Sequence, residues 1–386
     1  MNVKRRKWMF VSFLLLTALL FTACGGDAEP TAGDEAATEA EADGDALRIA
    51  IVTSPSGVDD GSFNQDNYNG ILAFMENHSN ATVNAIQETT GDVAAAVQAV
   101  ADVVADYDVI VTPGFQFADI SSIAEDNPEK MFILVDANPT PQGEQELFDN
   151  IYAMTFAEEE SGFFAGVAAA LETETGKVAV VNGIAFPSNV NYQWGFESGV
   201  MYANHHFGTD AEVVELPSYA GTDVTNANVG GNYIGNFADP ATGKVVGDAL
   251  IDEGVDIMFV AAGGSGMGVF TAAMEAEGVY VIGCDVDQFD DGTYSDGNVV
   301  LTSVLKNMSI NVERQLNAIM EGTFQGSNEL LRADTDSTGF VLENDRHQLS
   351  EETMEKLEEV YELVQAGTIV PAANFNGHSP DNFPGL

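Results

Sequence analysis

A polar stretch near the N-terminus carries residue types that bind or transform small molecules. Residues 59–70 read DDGSFNQDNYNG and follow a strand-like run, LRIAIVTS, at 47–54. Carboxylates, amides and a hydroxyl in such a place suit acid–base chemistry, metal binding or the grip of a polar ligand. Ligands of open parallel sheets bind beyond the carboxyl ends of strands. The same rule selects four further segments: 114–117, Asp136, 263–268 and 285–288.

The catalytic interpretation lacks partners for these acids. The sequence contains no G-x-S-x-G, no H-E-x-x-H and no G-K-[ST] phosphate loop. The histidines lie in helix-like, charged or Pro/Gly-rich contexts and not at strand ends. The run DVDQFDDG at 285–292 departs from the order of acids in a calcium loop. We therefore expect no catalytic residues, no cofactor and no bound metal.

The glycine-rich run GGSGMG at 263–268 follows a strand-like run and opens a helix. Its glycines fall as G-G-x-G-x-G, which differs from the dinucleotide fingerprint G-x-G-x-x-G. Two interpretations stay open. Gly264 and Gly266 expose backbone N–H groups to a ligand at a helix start, or the glycines allow close packing of the helix on its sheet.

The remaining polar residues favour an uncharged ligand. Lys306 is the basic residue expected near a strand end, whereas acids and amides dominate there: Asp60, Asn64, Asp136, Asp285 and Asp287. Such groups suit the hydroxyls of a polyol, while anionic ligands usually require arginine. Phe63 and Phe237 lie within polar segments, where aromatic rings can stack on a flat ring. A polyol with a flat ring is a nucleoside, but sugars also stack on aromatic rings, so both ligands stay open.

Alternating strands and helices must position these residues. Five strand-like runs, starting with RIAIVTS and ending with NIYAMTF at 150–156, alternate with helix-like stretches. The alternation restarts with a helix that contains EEESGFFAGVAAALE and continues to GVYVIGCDVD. Such a pattern predicts an α/β protein with two parallel-sheet domains. Residues 216–240 form a long, polar, glycine-rich connection, typical of a functional or mobile loop.

The N-terminal segment has the features of a secretory signal. Four basic residues precede the apolar stretch MFVSFLLLTALLFTA, so residues 1–23 are predicted to be a signal peptide. LFTAC at 20–24 resembles a lipobox with Phe21 in place of the usual leucine. This resemblance implies acylation of Cys24 and anchoring at the extracytoplasmic face of the cell membrane; an ordinary signal with an incidental cysteine is the alternative. Residues 24–46, with eight acids and no large apolar residue, are predicted to be a flexible tether.

The charge of the chain restricts its partners. Removal of the signal leaves nine basic residues against 61 acids, a net charge of −52. Such a protein repels nucleic acid and anionic lipid headgroups. The acids are dispersed and include AEEE at 157–160, so we expect a solvated acidic surface. A salt-adapted host is one hypothesis for the excess; equal melting temperatures in dilute and molar salt would remove it.

Ordered sequence blocks resemble the basic membrane lipoprotein family, nucleoside-binding receptors of bacterial ABC importers. The blocks include DDGSFNQ (59–65), VTPGFQFADISSIAEDNPEKMFILVDA (111–137), KVAVVNGIAFPSNVNYQWGFESGV (177–200), GNFADPATGK (235–244) and LTSVLKN (301–307). The resemblance implies a type I periplasmic-binding fold, with two Rossmann-like lobes joined by a hinge of three crossovers. The first lobe would comprise 47–155 and 304–325, and the second 156–303 and 326–386. The helix at 306–322 would pack on the first lobe.

The resemblance also implies roles for single residues. Phe63 and Phe237 would sandwich the base, and Asn64 and Asp136 would address the base or the ribose. The ribose hydroxyls would be held by Gly264, Gly266, Asp285 and Lys306. Asp60 and Asp287 are candidates that would either contact the ligand or shape their loops. Segment 218–234 is longer than the family pattern, and the tail AANFNGHSPDNFPGL has no counterpart in it. Trp194 is assigned either to the helix core or to the cleft.

The implied function is capture of a nucleoside, expected to be a purine nucleoside, by a monomer that delivers it to the permease and ATPase subunits of an ABC transporter. Two alternatives stay open. One is a receptor for a simple sugar or another small polar ligand. The other is a surface sensor or adhesin on the same fold.

Overall fold

The computed structural model describes residues 46–140, 146–295, 297–374 and 376–386. The predicted signal peptide, Cys24 and all but the last residue of the tether lie outside the described residues. Within this part of the chain, no helix has the length and apolar character needed to cross a membrane.

Strands and helices alternate along the described chain, as predicted. The strands are β1 (Arg48–Thr53), β2 (Thr82–Gln87), β3 (Val109–Pro113), β4 (Met131–Val135), β5 (Ile151–Phe156), β6 (Lys177–Asn182), β7 (Glu212–Val213), β8 (Gly221–Thr222), β9 (Asn228–Gly230), β10 (Asn232–Tyr233), β11 (Ile257–Ala261), β12 (Tyr280–Gly283), β13 (Thr293–Tyr294), β14 (Gly297–Asn298), β15 (Val300–Lys306), β16 (Ser327–Leu331) and β17 (Thr338–Phe340). The helices are α1 (Phe63–Asn77), α2 (Val93–Val103), α3 (Ser121–Asp126), α4 (Glu158–Glu172), α5 (Pro187–His206), α6 (Pro240–Asp252), α7 (Gly266–Met274), α8 (Met308–Met320) and α9 (Glu351–Gln365).

The first lobe is a parallel sheet in the order β16-β5-β4-β3-β1-β2. Side chains on one strand alternate between the two faces of the sheet. Ile49 and Ile51 pack on the side of α1 and α8, whereas Ala50 and Val52 pack on the side of α2. Both faces are buried, which explains the nearly continuous apolar run of β1. Helix α8 packs on this lobe through Met308, Val312 and Leu316.

The second lobe has a sheet in the order β10-β6-β11-β12-β15-β17, with β7 paired to β6. Its pairings are parallel except for β15 with β17, which is antiparallel. Helices α4 and α5 cover one face, and α6 and α7 cover the other. Helices α4 and α5 approach closely because glycines face each other: a Cβ on Gly166 would lie 2.1 Å from the Phe196 carbonyl oxygen. This contact packs the middle of α5 against α4.

Three crossovers form the hinge between the lobes, at 156–158, 306–308 and 331–338. Two predicted boundaries need correction. β15 stays in the second sheet to Lys306, so the chain crosses there and not at 304. β16 pairs with β5, so the first-lobe sheet extends to Leu331, beyond the predicted return at 326. The prediction failed at β16 because its residues SNELL, of which only the last is fully buried, lack the apolar run of a central strand.

The long connection at 216–240 is more ordered than a plain loop. It contains the hairpin of β8 and β9, and then β10, which adds to β6 at the sheet edge. The C-terminal tail packs on the second lobe, where Phe383 meets Phe163 edge to face with ring centroids 6.0 Å apart. Trp194 lies partly buried beside Val190 and Tyr233. Of its two predicted placements, helix core or cleft, this contact corresponds to the helix core.

Candidate functional site

A cavity lies between the lobes, beyond the carboxyl ends of strands from both sheets, with about 580 Å³ of space not filled by protein atoms, open solvent included. Seven of the ten predicted ligand residues line it together: Asp60, Phe63, Asn64, Asp136, Phe237, Asp285 and Lys306. We call it the inter-lobe cavity.

Asp60 holds the loop that begins the first predicted segment. Its Oδ1 accepts from the backbone N–H groups of Ser62 and Gln65 at 3.1 and 3.0 Å, and its Oδ2 accepts from that of Asn64 at 3.0 Å. Asp60 thus satisfies the free N–H groups at the start of α1. Burial raises the pKa of Asp60, opposed by these bonds. Of the two roles considered for Asp60, ligand contact and loop shaping, these bonds favour loop shaping.

Two buried acceptors in the cavity lack partners among the described residues. Asn64 donates its Nδ2 to Ser54 Oγ and Asp60 Oδ2, which leaves its Oδ1 unpaired. Asp136 binds Lys306 through Oδ2, and its Oδ1 is also unpaired. Buried polar atoms are normally hydrogen-bonded. These two oxygens therefore suit a ligand that donates hydrogen bonds.

Lys306 is the cation of the inter-lobe cavity. Its Nζ lies 2.6 Å from Asp136 Oδ2 and 3.1 Å from Glu158 Oε1, and its side chain is 1% exposed. Burial lowers the pKa of Lys306, but Asp136 and Glu158 outweigh it, so the pKa is raised and the ammonium stays charged. Burial, opposed by Lys306, raises the pKa of Asp136 to about 7. Two acids thus share one cation, because Glu158 competes with Asp136 for it.

Asp285 joins the two lobes. It has a left-handed backbone with φ of 70°. Its Oδ2 accepts from Ser62 of the first lobe at 2.9 Å, and its Oδ1 accepts from the Tyr192 hydroxyl at 2.7 Å. A second inter-lobe bond runs from Ser56 Oγ to the Phe237 carbonyl oxygen at 3.0 Å. The lobes are therefore closed on each other at the cavity.

Aromatic rings line the other end of the cavity. Phe186 lies between Phe115 and Phe237, with ring centroids 5.4 and 6.1 Å away. The Phe237 ring covers Gly183, where a Cβ would lie 2.1 Å from Cε1. Phe63 also lines the cavity, 4.9 Å from Lys306 Nζ. Both residues of the predicted base sandwich therefore face the same cavity.

Sequence reasoning missed the cavity residues at the start of α5. Phe186, Ser188, Asn189 and Tyr192 line the cavity, and Asn189 donates to the Ala261 carbonyl oxygen at 2.8 Å. The signal was present, because this segment follows the buried strand β6. The strand-end rule that selected the other segments selects it as well.

Three predicted ligand residues lie outside the cavity lining. Of the glycines at 263–268, Gly263 lines the cavity, and Gly264 and Gly266 do not. A Cβ on Gly266 would lie 2.8 Å from Val260 Cγ1, which favours the close-packing interpretation. Asp287 forms an ion pair with Arg346, which also binds Asp290 at 2.9 Å. Arg346 thus offsets the charge of two acids of this run. Among the described residues no cluster of metal-ligating side chains occurs.

The acids at 158–160 are buried, not solvated as expected. Glu158 accepts from Lys306 and, at 2.9 Å, from Asn191 Nδ2. Glu160 accepts from Ala333 N–H at 2.8 Å and from Thr338 Oγ1 at 2.7 Å, and it pairs with Arg332 at 2.8 Å. The prediction failed because these partners lie far away in sequence. Glu158 thus contacts the second crossover and Glu160 the third.

Comparison with known proteins agrees with this architecture. The family profile described as "Bmp: ABC transporter substrate-binding protein PnrA-like" matches residues 48–222 and 219–373. A Listeria innocua protein named CD4+ T-cell-stimulating antigen is 28% identical over 95% of this chain and 98% of its own length. A Lactococcus lactis protein named ABC transporter nucleoside-binding protein BmpA is 29% identical over 72% of this chain and 77% of its own.

A solved structure of an ABC transporter solute-binding protein from Aeropyrum pernix superimposes with a TM-score of 0.69 at 23% identity. The match covers 86% of this chain and 94% of that chain. The likeness confirms the predicted type I periplasmic-binding fold.

Proposed function

Because the chain belongs to the family of PnrA-like ABC transporter substrate-binding proteins, whose role is binding and not catalysis, we propose that it captures a nucleoside between its lobes and delivers it to a membrane permease. The observation that carries this proposal is the division of the inter-lobe cavity. Phe115, Phe186 and Phe237 lie together at one end, and Asp136, with its unpaired Oδ1, lies beside Lys306 at the other. Phe63, 4.9 Å from Lys306 Nζ, and Asn64, with its unpaired Oδ1, also line the cavity. A nucleoside has a flat base and a ribose whose hydroxyls donate hydrogen bonds. The Lactococcus relative's name supports this ligand class.

In this proposal the base stacks against Phe63 and Phe237, since stacking accepts any flat ring. The ribose hydroxyls donate to the Oδ1 atoms of Asn64 and Asp136, which lack other partners among the described residues. Lys306, held by Asp136 and Glu158, directs a positive charge to the same end. Asp285 contributes less to the ligand, because both of its oxygens are engaged within the protein. A purine fits the proposal because its larger ring offers more stacking area.

Calorimetry tests the ligand class directly. The full chain in mild detergent is titrated with adenosine, guanosine, inosine, uridine and ribose. We expect at least one nucleoside to bind with a Kd of about 1 μM or tighter, and ribose to give no signal. Binding of ribose alone would assign the protein to sugars, and binding of none of the five would refute the proposal.

We further propose that Cys24 is acylated and anchors the protein at the extracytoplasmic face of the membrane. The lipobox-like LFTAC supports this placement. A Cys24→Ser variant should move from the membrane fraction to the soluble fraction. Uptake of labelled nucleoside, measured with and without the protein, separates an importer from a sensor, because only an importer changes uptake.

A further inference from the structure

A second cavity lies against the aromatic end of the inter-lobe cavity. It contains about 630 Å³ of space not filled by protein atoms. The two cavities share part of their walls: Ser54, Ser56, Gln116, Phe186 and Phe237. The residues of the polar end, Asp136, Asp285 and Lys306, do not line it. The second cavity therefore adjoins the inter-lobe cavity at Phe186, Phe237 and the polar residues beside them, and not at Asp136, Asp285 or Lys306.

The shared wall determines which part of a ligand faces the second cavity. This step rests on the proposed function, in which the base lies at the aromatic end and the ribose at the polar end. A group attached to the ribose would point toward Lys306 and away from the shared wall. A group attached to the base lies in the plane of the ring, so beside the stacked Phe237 it would point past the edge of that ring to the shared wall, with the second cavity beyond.

The lining of the second cavity restricts the chemistry of such a group. Glu88 is its charged residue, and no Lys, Arg or His is among the described residues that line it. The Glu88 carboxylate accepts from Thr90 N–H, Thr90 Oγ1 and Gly91 N–H at 2.6–2.7 Å. These donors stabilise its ionised form. An anionic group would be repelled, whereas a neutral donor or a cation would be accepted.

The second cavity also has an open side. Thr90, Asn236 and Ala238 line it and are exposed to solvent. A substituent that enters from the base can therefore extend toward solvent and does not have to fit a closed volume. This opening matters because the inter-lobe cavity is closed by the bonds between Ser56 and Phe237 and between Ser62 and Asp285.

We propose that the second cavity is a subsite for a substituent on the base. The protein then binds nucleosides whose exocyclic amine carries a neutral or cationic chain that donates hydrogen bonds, and it discriminates against the same chain ending in a carboxylate. Modified nucleosides of this chemical class thus belong to its ligands, together with unmodified ones.

A matched ligand series tests the subsite. The full chain in mild detergent is titrated with adenosine and with its N6-(2-aminoethyl), N6-(2-hydroxyethyl) and N6-(carboxymethyl) derivatives. We expect the aminoethyl and hydroxyethyl derivatives to bind within about threefold of adenosine or tighter. The carboxymethyl derivative should bind about tenfold more weakly than the aminoethyl derivative, the scale of one charge interaction near a protein surface.

A filling variant locates the effect. Ala238→Trp places a large ring at an exposed wall position of the second cavity that does not line the inter-lobe cavity. It should weaken the three derivatives about tenfold and leave adenosine unchanged. Val245→Trp, at an exposed position of α6 that lines neither cavity, is the matched control and should change nothing.

The outcomes separate this inference from the proposed function. If adenosine binds and every derivative binds more than about tenfold more weakly, the subsite is refuted while the proposed function stands. The subsite is likewise refuted if Ala238→Trp affects adenosine and its derivatives equally. If neither adenosine nor any derivative binds, both the inference and adenosine as a ligand are rejected.

Discussion

Replacing Lys306 with methionine should strongly destabilise the protein, because two buried carboxylates would lose their shared cation. Asp136 and Glu158 lie 2.6 and 3.1 Å from Lys306 Nζ, and all three side chains are at most 6% exposed. Removing one partner of a buried ion pair costs about 3–5 kcal/mol of unfolding free energy. Methionine keeps the apolar stem, so this cost is mainly electrostatic.

The size of the loss should depend on pH. Burial already raises the pKa of Asp136 to about 7, although Lys306 opposes it. With this pKa, Asp136 is already largely protonated at pH 5 in the folded wild type, and loss of the ammonium raises the pKa further. At pH 5 the variant therefore leaves only Glu158 as a buried carboxylate without its cation. Each unit of pKa shift corresponds to about 1.4 kcal/mol. We therefore expect a loss of about 3–5 kcal/mol at pH 8, and about 1–2 kcal/mol less at pH 5.

Urea unfolding followed by circular dichroism at pH 5 and pH 8 measures both quantities. Adding Asp136→Asn to the Lys306→Met variant removes one uncompensated charge and should recover about half of the loss at pH 8. A loss below about 1 kcal/mol that is equal at both pH values would refute the reasoning, since it would mean that water solvates these charges in the folded protein.

Three further predictions concern stacking, the hinge and pH. Phe63→Ala should weaken nucleoside binding about 10–100-fold in calorimetry, the worth of one stacked ring; an unchanged Kd would remove Phe63 from the sandwich. Glu160→Gln should loosen the third crossover, which small-angle scattering would detect as a larger radius of gyration, whereas the exposed Glu355→Gln should leave it unchanged. Burial raises the pKa of Asp66 to about 6 and that of Glu159 to about 8. Their protonated forms stabilise the fold, and this contribution is complete below about pH 4 and is lost as pH rises through 6–8. The urea midpoint of unfolding should therefore fall from pH 5 to pH 8. The Glu159→Gln variant should show a smaller fall.

The central strands and most of the site were predictable, for a common physical reason. β1, β3 and β4 are buried on both faces, so their sequences are continuous apolar runs that end in polar residues. The end of a parallel strand is also where ligands bind. Asn64 and Asp136 were therefore identified together with the strands that position them.

The features that sequence reasoning missed depend on distant partners. The edge strand β16 is recognisable only through its pairing with β5, because three of its five residues are polar and only Leu331 is fully buried. Asp287 resembles a ligand residue until Arg346, 59 residues later, is seen to neutralise it. The burial of Glu158 and Glu160 likewise depends on Lys306 and Arg332, and local sequence carries no trace of these pairs.

The buried acids of α4 connect the ligand site to the hinge. Glu158 holds Lys306, which lies in the cavity and at the end of the strand that enters the second crossover. Glu160 lies on the same turn of α4 as Glu158. It accepts hydrogen bonds from Ala333 N–H and Thr338 Oγ1, which lie near the start and at the end of the third crossover. A single turn of α4 thus carries bonds to two of the three crossovers. Lys306, which lines the inter-lobe cavity, is therefore tied to the hinge through Glu158.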